Sequence, residues 1–281
     1  MKMIAVRRDE RFSPNSVEKD RLILEAACMK TCRQAEEHGE PCAWRWVDEA
    51  ELTVNDEADL YLSMARLPEA LQVLEGFEQQ GRRIINSPQG VRNCQRSHIE
   101  RVMRENEVPA PLAYREEQDV DAPCWLKRGD TAAQSKDDVV FCKDKAALLQ
   151  AIETFKQRGI SDYVVSQHVE GDVVKFYGVN AGFFRYFYPT DDGQTKFDDE
   201  KAHNGPTHHY PFDAARLQSE VERLARLLQV EVYGGDAIVD SEGRFYIIDF
   251  NDWPSFSRCR DEASTAISIL SKSDSALPLS K

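Results

Sequence analysis

The chain has 281 residues, 41% hydrophobic and 30% charged, which is enough to bury one large core or two to three small ones and excludes both a disordered segment and a membrane bundle. Lysine and arginine number 36 against 49 aspartates and glutamates, for a net charge of −13 at pH 7. General nucleic-acid binding needs a net basic surface, so no nucleic-acid partner is expected and cations should matter only as local pockets. Seven scattered cysteines without a C-x-x-C pair point to a reducing cytoplasm. The opening Met1-Lys-Met-Ile-Ala-Val-Arg-Arg has no long apolar stretch, and no apolar run of about 18 residues occurs anywhere, so neither export nor a membrane partner is expected.

In chain order, residues 3–6 form an apolar run read as a strand, and Asn15-x-x-Glu18 resembles a capping box opening a helix that Gly39 closes. Residues 42–47 alternate as a half-buried strand, and residues 60–64 form a further apolar run. Pro68 opens a helix that stops at Gly81, residues 83–86 read as a strand, and Ser87-Pro88 starts a turn of helix. Residues 1–92 thus predict an N-terminal α/β subdomain, and Ser97-x-x-Glu100 predicts a cap for a helix ending before Val108-Pro109.

Residues 93–166 predict a central subdomain: a strand at Trp125-Leu126-Lys127, a polar loop over 129–138, a strand over 139–142, a helix over 144–158 and a strand at 163–165. Residues 167–281 predict a C-terminal subdomain. Strands over 172–188 turn back at Asn180-Ala181-Gly182, and Asp213 caps a helix running to Leu228. Strands 232–239 and 245–250 form a hairpin, a last helix begins near Phe256, and the tail from 271 frays. Residues 190–209 are polar without periodicity and are expected to be a functional or mobile loop.

The strongest chemical constellation sits on that hairpin. Asp249 and Asn251 are two apart, so on a strand both face one way, and Asp236 on the paired strand can oppose them. Two carboxylates and an amide suit Mg²⁺, a hard ion that takes oxygen ligands and completes its shell with substrate phosphates; the plain alternative is a hairpin whose acids face water. Three histidines, His203, His208 and His209, accompany Lys196 and Lys201 near Arg185, at a spacing that matches no structural zinc pattern. An anionic substrate or a solvated loop both fit that stretch. Trp253 and Phe256 can stack on a ring or pack in a core. Walker, Rossmann and nucleophile-elbow motifs are absent from the sequence.

The order of a strand lysine, a polar loop, a strand running into Gln167-His168-Val169-Glu170, then Lys175, Arg185 and the acidic hairpin resembles the ATP-grasp superfamily over about residues 83–262. The resemblance implies an α/β fold in which an N-terminal subdomain precedes two α+β subdomains that clasp ATP. It implies ATP and Mg²⁺ as cofactors, with Asp236, Asp249 and Asn251 on the metal and Arg96, Lys127 and Lys136 on the phosphates. It also places Gln167, His168 and Val169 at an adenine hinge, Glu170 or Asp172 on the ribose, and Lys175 and Arg185 at the transferring phosphoryl group or the acceptor's anion. The loop over 129–138 is poorer in glycine than the family's, and it and 190–209 are candidate lids. Asp249-x-Asn251, continued as Asp-Trp-Pro-Ser-Phe256, is similar to the inositol 1,3,4-trisphosphate 5/6-kinases, and ribosomal-protein glutamate ligases share part of the pattern. A kinase acting on a small anionic or polyhydroxylated acceptor is therefore the first expectation. A carboxylate–amine ligase working through an acyl phosphate is the second, and a nucleotide-binding regulator without turnover the third.

Overall fold

The computed structural model describes residues 1–13, 16–130, 135–191 and 206–272. Its first sheet is parallel, in the order β2 (Ala43–Asp48), β1 (Lys2–Arg7), β3 (Leu60–Ser63), β4 (Arg83–Ile85). Residues 3–6 and all of β3 are buried, as expected of parallel strands covered on both faces. The covering helices are α1 (Val17–Glu37) and α2 (Pro68–Gln79), the latter with its proline in the first turn where no amide partner is needed. The N-cap of α1 is Ser16; the predicted cap Asn15 lies outside the described residues.

After α3 (Pro88–Asn93), whose N-cap Ser87 accepts from the Gly90 amide at 3.0 Å, comes α4 (Arg96–Glu105). The expected cap at Ser97 is displaced, because α4 starts after Gln95 and Ser97 is already helical. Its hydroxyl donates to Asp162 at 2.5 Å and its amide to Gly129 O at 3.2 Å, so tertiary partners have taken the groups a local cap would use.

The second sheet is antiparallel, in the order β5 (Ala113–Tyr114), β8 (Tyr163–Gln167), β6 (Cys124–Arg128), β7 (Val139–Cys142). Helix α5 (Lys145–Gln157) covers it with Leu148, Ile152 and Phe155. The third sheet is also antiparallel, in the order β10 (Phe183–Phe187), β9 (Asp172–Val179), β11 (Val232–Val239), β12 (Phe245–Asp252), flanked by α6 (Ala214–Leu228) and α7 (Arg260–Leu270). The last helix therefore begins four residues after Phe256, whose own ring is fully buried.

Packing joins the first and third sheets into one body. A single apolar cluster runs from Met3, Leu62 and Ile85 through α1 and α7 to Tyr177, Val232 and Trp253. Buried Asn86 stitches the same seam, its Oδ1 accepting from the Glu231 and Val232 amides at 2.9 and 2.8 Å and its Nδ2 donating to Val232 O at 2.8 Å. On the far face of the third sheet, Ile99, Val102 and Met103 of α4 pack with Leu217, Val221 and Leu224 of α6. The second sheet keeps a separate core.

Composition alone gave no cysteine pairing, whereas Cys32 near the end of α1 and Cys42 just before β2 are disulfide-bonded with Cα atoms 5.1 Å apart. The turn through residues 38–41 brings them together, a proximity that sequence spacing does not reveal. Among the described residues no helix is long and apolar enough to cross a membrane.

Candidate active site

Strand register builds the centre of the site. Lys175 on β9 lies opposite Asp236 on β11, which lies opposite Asp249 on β12, so three charged side chains form one row across the sheet. Lys175 Nζ donates to Asp236 Oδ1 at 2.9 Å. Burial would lower the Lys175 ammonium, but Asp236, with Tyr177 and Asp249 beyond it, holds it above its ordinary value, so the lysine stays charged.

A bulge shapes the hairpin: Asp236 pairs with Asp249 and Ala237 with Ile247, which leaves Ile248 outside the ladder. Its carbonyl instead accepts from Lys127 Nζ at 2.9 Å. The two strands approach closely because β11 carries glycine here; a Cβ on Gly235 would sit 2.1 Å from Asp249 O. Asn251 Nδ2 donates to Asp249 Oδ2 at 2.7 Å.

The opposite wall comes from earlier in the chain. Arg96, in the first turn of α4, donates through Nη1 to Arg128 O at 2.7 Å, and its Nη2 stands 3.4 Å from Asp249 Oδ1. Burial pushes the Asp249 carboxyl up, but Arg96 and Lys127, then Asn251 and Lys175, outweigh it and hold it below the usual carboxylate value. Asp249 is thus an anion ringed by three cations from three elements. No trio of His, Cys, Asp or Glu among the described residues forms a closed metal site. Two carboxylates and an amide make an open donor set, which fits Mg²⁺ sharing its ligands with phosphate and does not fit a structural zinc.

The segment 167–170 leaves the end of β8. The Gln167 amide donates to Leu112 O and the His168 amide to Pro123 O, each at 2.8 Å, whereas the Val169 amide donates to no protein acceptor among the described residues. Beside it, Trp125 Nε1 donates to His168 Nδ1 at 3.0 Å, and the Phe141 ring lies 5.3 Å from each of those two rings, edge-on to both, giving an aromatic wall. Glu170 is exposed. Asp172 is buried and taken up by the His208 and Tyr210 amides at 2.7 and 2.9 Å, a structural use that removes it as a ribose partner.

Two of the sequence candidates are not brought to this group. Lys136 opens a short 3-10 helix on the loop after β6, exposed and touching none of the converged residues. Arg185 shares the sheet face of Lys175 but lies on the outer strand, where its guanidinium, about half exposed at 49%, pairs with Glu262 at 3.0 Å. Lys196, Lys201 and His203 lie outside the described residues. Trp253 and Phe256 are core residues, and Trp253 Nε1 donates to Ile85 O at 3.0 Å.

Sequence reasoning missed one wall of the cleft. A cavity of ≈ 350 Å³ lined by Arg96, Lys175, Asp249 and Asn251 is lined also by Arg8, Arg66, Asp252 and Arg258. The only local signal was the Arg7-Arg8 pair at the end of the first strand.

No family model and no curated protein matches the chain. Solved structures do match it. A RimK-domain ATP-grasp protein from Sphaerobacter thermophilus superposes with a TM-score of 0.64 at 17% identity, over 96% of this chain and 100% of that one. The D-alanine–D-alanine ligase from Bacillus anthracis in complex with ATP gives 0.64 at 11%, over 98% and 96%. D-alanyl-alanine synthetase A from Vibrio cholerae gives 0.62 at 12%, over 97% and 94%. At such identities the likeness is one of fold: the chain has the ATP-grasp fold over nearly its whole length.

Proposed function

We propose that the chain is an ATP-dependent enzyme that moves the γ-phosphoryl group of ATP onto an oxygen of a small acceptor, between the second and third sheets. The observation that carries this reading is the convergence of Arg96, Lys127 and Lys175 on the ionised Asp249. The Val169 amide and the Trp125–His168–Phe141 wall would take the adenine, and Glu170 the ribose. Arg96 and Lys127 would hold the phosphate chain, and Asp236, Asp249 and Asn251 would hold Mg²⁺. Bound there, Mg²⁺ offsets the charge that develops on the β- and γ-phosphate oxygens. Residues 1–92 face the acceptor in this reading, and neither Lys136 nor Arg185 has a role in it.

The chain's own work is positioning and electrostatics. Lys175, held charged by Asp236, sits where a transferring phosphoryl group gains negative charge, and a pre-aligned cation needs no reorganisation as that charge grows. The acceptor oxygen attacks the γ-phosphorus in line, the bond to the β,γ-bridging oxygen breaks, and ADP leaves. The ATP-grasp neighbours described as ligases, among them D-alanine–D-alanine ligase and the ATP-grasp ligase PsnB, support a carboxylate as acceptor. An acyl phosphate then forms, an amine attacks its carbonyl carbon, and inorganic phosphate leaves. The kinase reading, with a hydroxyl as final acceptor, is supported by Asp249-x-Asn251 followed by Trp253-Pro254.

ADP and free phosphate are measured separately with Mg·ATP, over polyol phosphates in one panel and carboxylates paired with amines in another. Stoichiometric phosphate that requires both co-substrates identifies the ligase; ADP without phosphate on a single polyol identifies the kinase. Asp249→Asn is expected to abolish Mg²⁺-dependent ADP formation and leave the circular dichroism spectrum and Tm near wild type. Retained turnover in that variant overturns the site.

A further inference from the structure

We infer that Arg8 and Arg66 form a second anion-binding subsite, which holds a non-reacting carboxylate or phosphate group of the acceptor. The inference rests on the reading of the cleft as an ATP-dependent active site.

Topology places the pair. From β1 the chain crosses to β2 on one side of the parallel sheet, and from β3 it crosses to β4 on the other, while β1 and β3 lie side by side. The crevice beyond the carboxyl ends of two such strands is where open α/β sheets take ligands. Arg8 is the first residue past β1 and Arg66 the third past β3. Both line the same cavity as Arg96, Lys175, Asp249 and Asn251.

The guanidiniums are buried yet incompletely partnered. Their side chains are 7% and 11% exposed. Arg8 Nη2 donates to Trp253 O at 2.5 Å, and its Nε lies 3.4 Å from Asp20 Oδ2, without a hydrogen bond. Arg66 Nη2 bonds Asp252 Oδ1 at 2.5 Å, and its own Nε has no partner. Burial and the neighbouring Arg66 charge push the Arg8 guanidinium below its ordinary value despite Asp20, Asp252 and Glu49, as expected of two cations held together. Each guanidinium donates through Nη2 alone among the described residues, which leaves Nη1 as the N–H group to meet a carboxylate or phosphate in the cavity.

Both loops are fixed in advance. Buried Glu49 accepts from the Asp9 amide and from the Arg66 and Leu67 amides at 2.5 and 2.7 Å, so its carboxylate pins the backbone beside each arginine. The charge count of the cavity agrees. Arg8, Lys19, Arg66, Arg96, Lys175 and Arg258 line it against the three carboxylates of Asp20, Asp249 and Asp252, in a chain whose net charge is −13. The nucleotide accounts for Arg96 and Lys175. Arg8 and Arg66, beyond the carboxyl ends of β1 and β3, are left for the acceptor.

Full-length protein is loaded with Mg²⁺ and β,γ-imido-ATP and titrated calorimetrically with two probes, inorganic phosphate and glutarate, which also separates phosphate from carboxylate recognition. Wild type is expected to bind at least one. Arg8→Gln and Arg66→Gln should each weaken that binding by about 10- to 100-fold, the loss of a charge-assisted pair, with nucleotide affinity unchanged as the check on folding. Asp20→Asn, which removes a competing carboxylate, should tighten probe binding several-fold, an effect that structural damage does not produce. Absence of binding by both probes, or binding as tight as wild type in Arg8→Gln and Arg66→Gln, overturns the subsite. The response of Asp249→Asn to nucleotide, measured in the same titration, tests the ATP reading separately.

Discussion

Asp249 gathers its partners because the backbone around it is permissive in two places, the bulge at Ile248 and Gly235 on the paired strand. Gly235→Ala would put a methyl group 2.1 Å from Asp249 O. Backbone cannot yield there as a flexible side chain can, so the strands must part. The expected outcome is a loss of about 1–3 kcal/mol of stability together with weakened nucleotide binding, read by denaturant unfolding and by titration with Mg·ATP. An alanine variant as stable and as tight-binding as wild type contradicts the close approach. The hairpin acids were legible in the sequence because an i, i+2 pair and a short turn fix their relation locally. Arg96 and Lys127 were legible only through family resemblance. Arg8 and Arg66 were not legible: nothing in the chain between them announces that parallel pairing of β1 with β3 sets them side by side.

The hairpin that carries Asp236 and Asp249 is closed by Asp240, an element-scale device. Its Oδ1 accepts from the Glu242 and Arg244 amides at 3.0 and 2.9 Å, and its Oδ2 from Arg244 Nε at 2.8 Å. Burial pushes the Asp240 carboxyl up, but the Arg244 side chain and the two amides prevail and hold it below the usual carboxylate value. A group whose folded value is depressed contributes stability above its unfolded value and loses it as pH falls through the folded one. Asp240→Asn should therefore cost about 1–3 kcal/mol at neutral pH, and the difference from wild type should shrink as pH falls below the ordinary aspartate value. A pH-independent difference in Tm contradicts the charge's role. Patterning anticipated β1, β3, α2, α6 and this hairpin, because burial periodicity and caps such as Asp213 are local. It failed at the two-residue strand β5 and at Ser97, where partners distant in sequence decide the outcome.

At the scale of the molecule, the first and third sheets form one base with a shared apolar core, whereas the second sheet has its own. Polar contacts connect it to that base near the site: Lys127 with Ile248 O at 2.9 Å, Arg96 with Arg128 O at 2.7 Å, and the Ser97 amide with Gly129 O at 3.2 Å. Such a layer opens at lower free energy than the body it rests on. Nucleotide bound between the second and third sheets would tie them together, and a ligand at 100 times its Kd stabilises the bound state by about 2.7 kcal/mol. Amide hydrogen exchange with Mg·ATP should therefore slow by roughly tenfold or more in β6, β7 and β8, whose protection is set by local opening, and change little in β1 and β3. Equal slowing in all three sheets would mean that they unfold as one unit. No slowing in β6 to β8, under conditions where Mg·ATP is bound, would place the nucleotide somewhere other than between the second and third sheets.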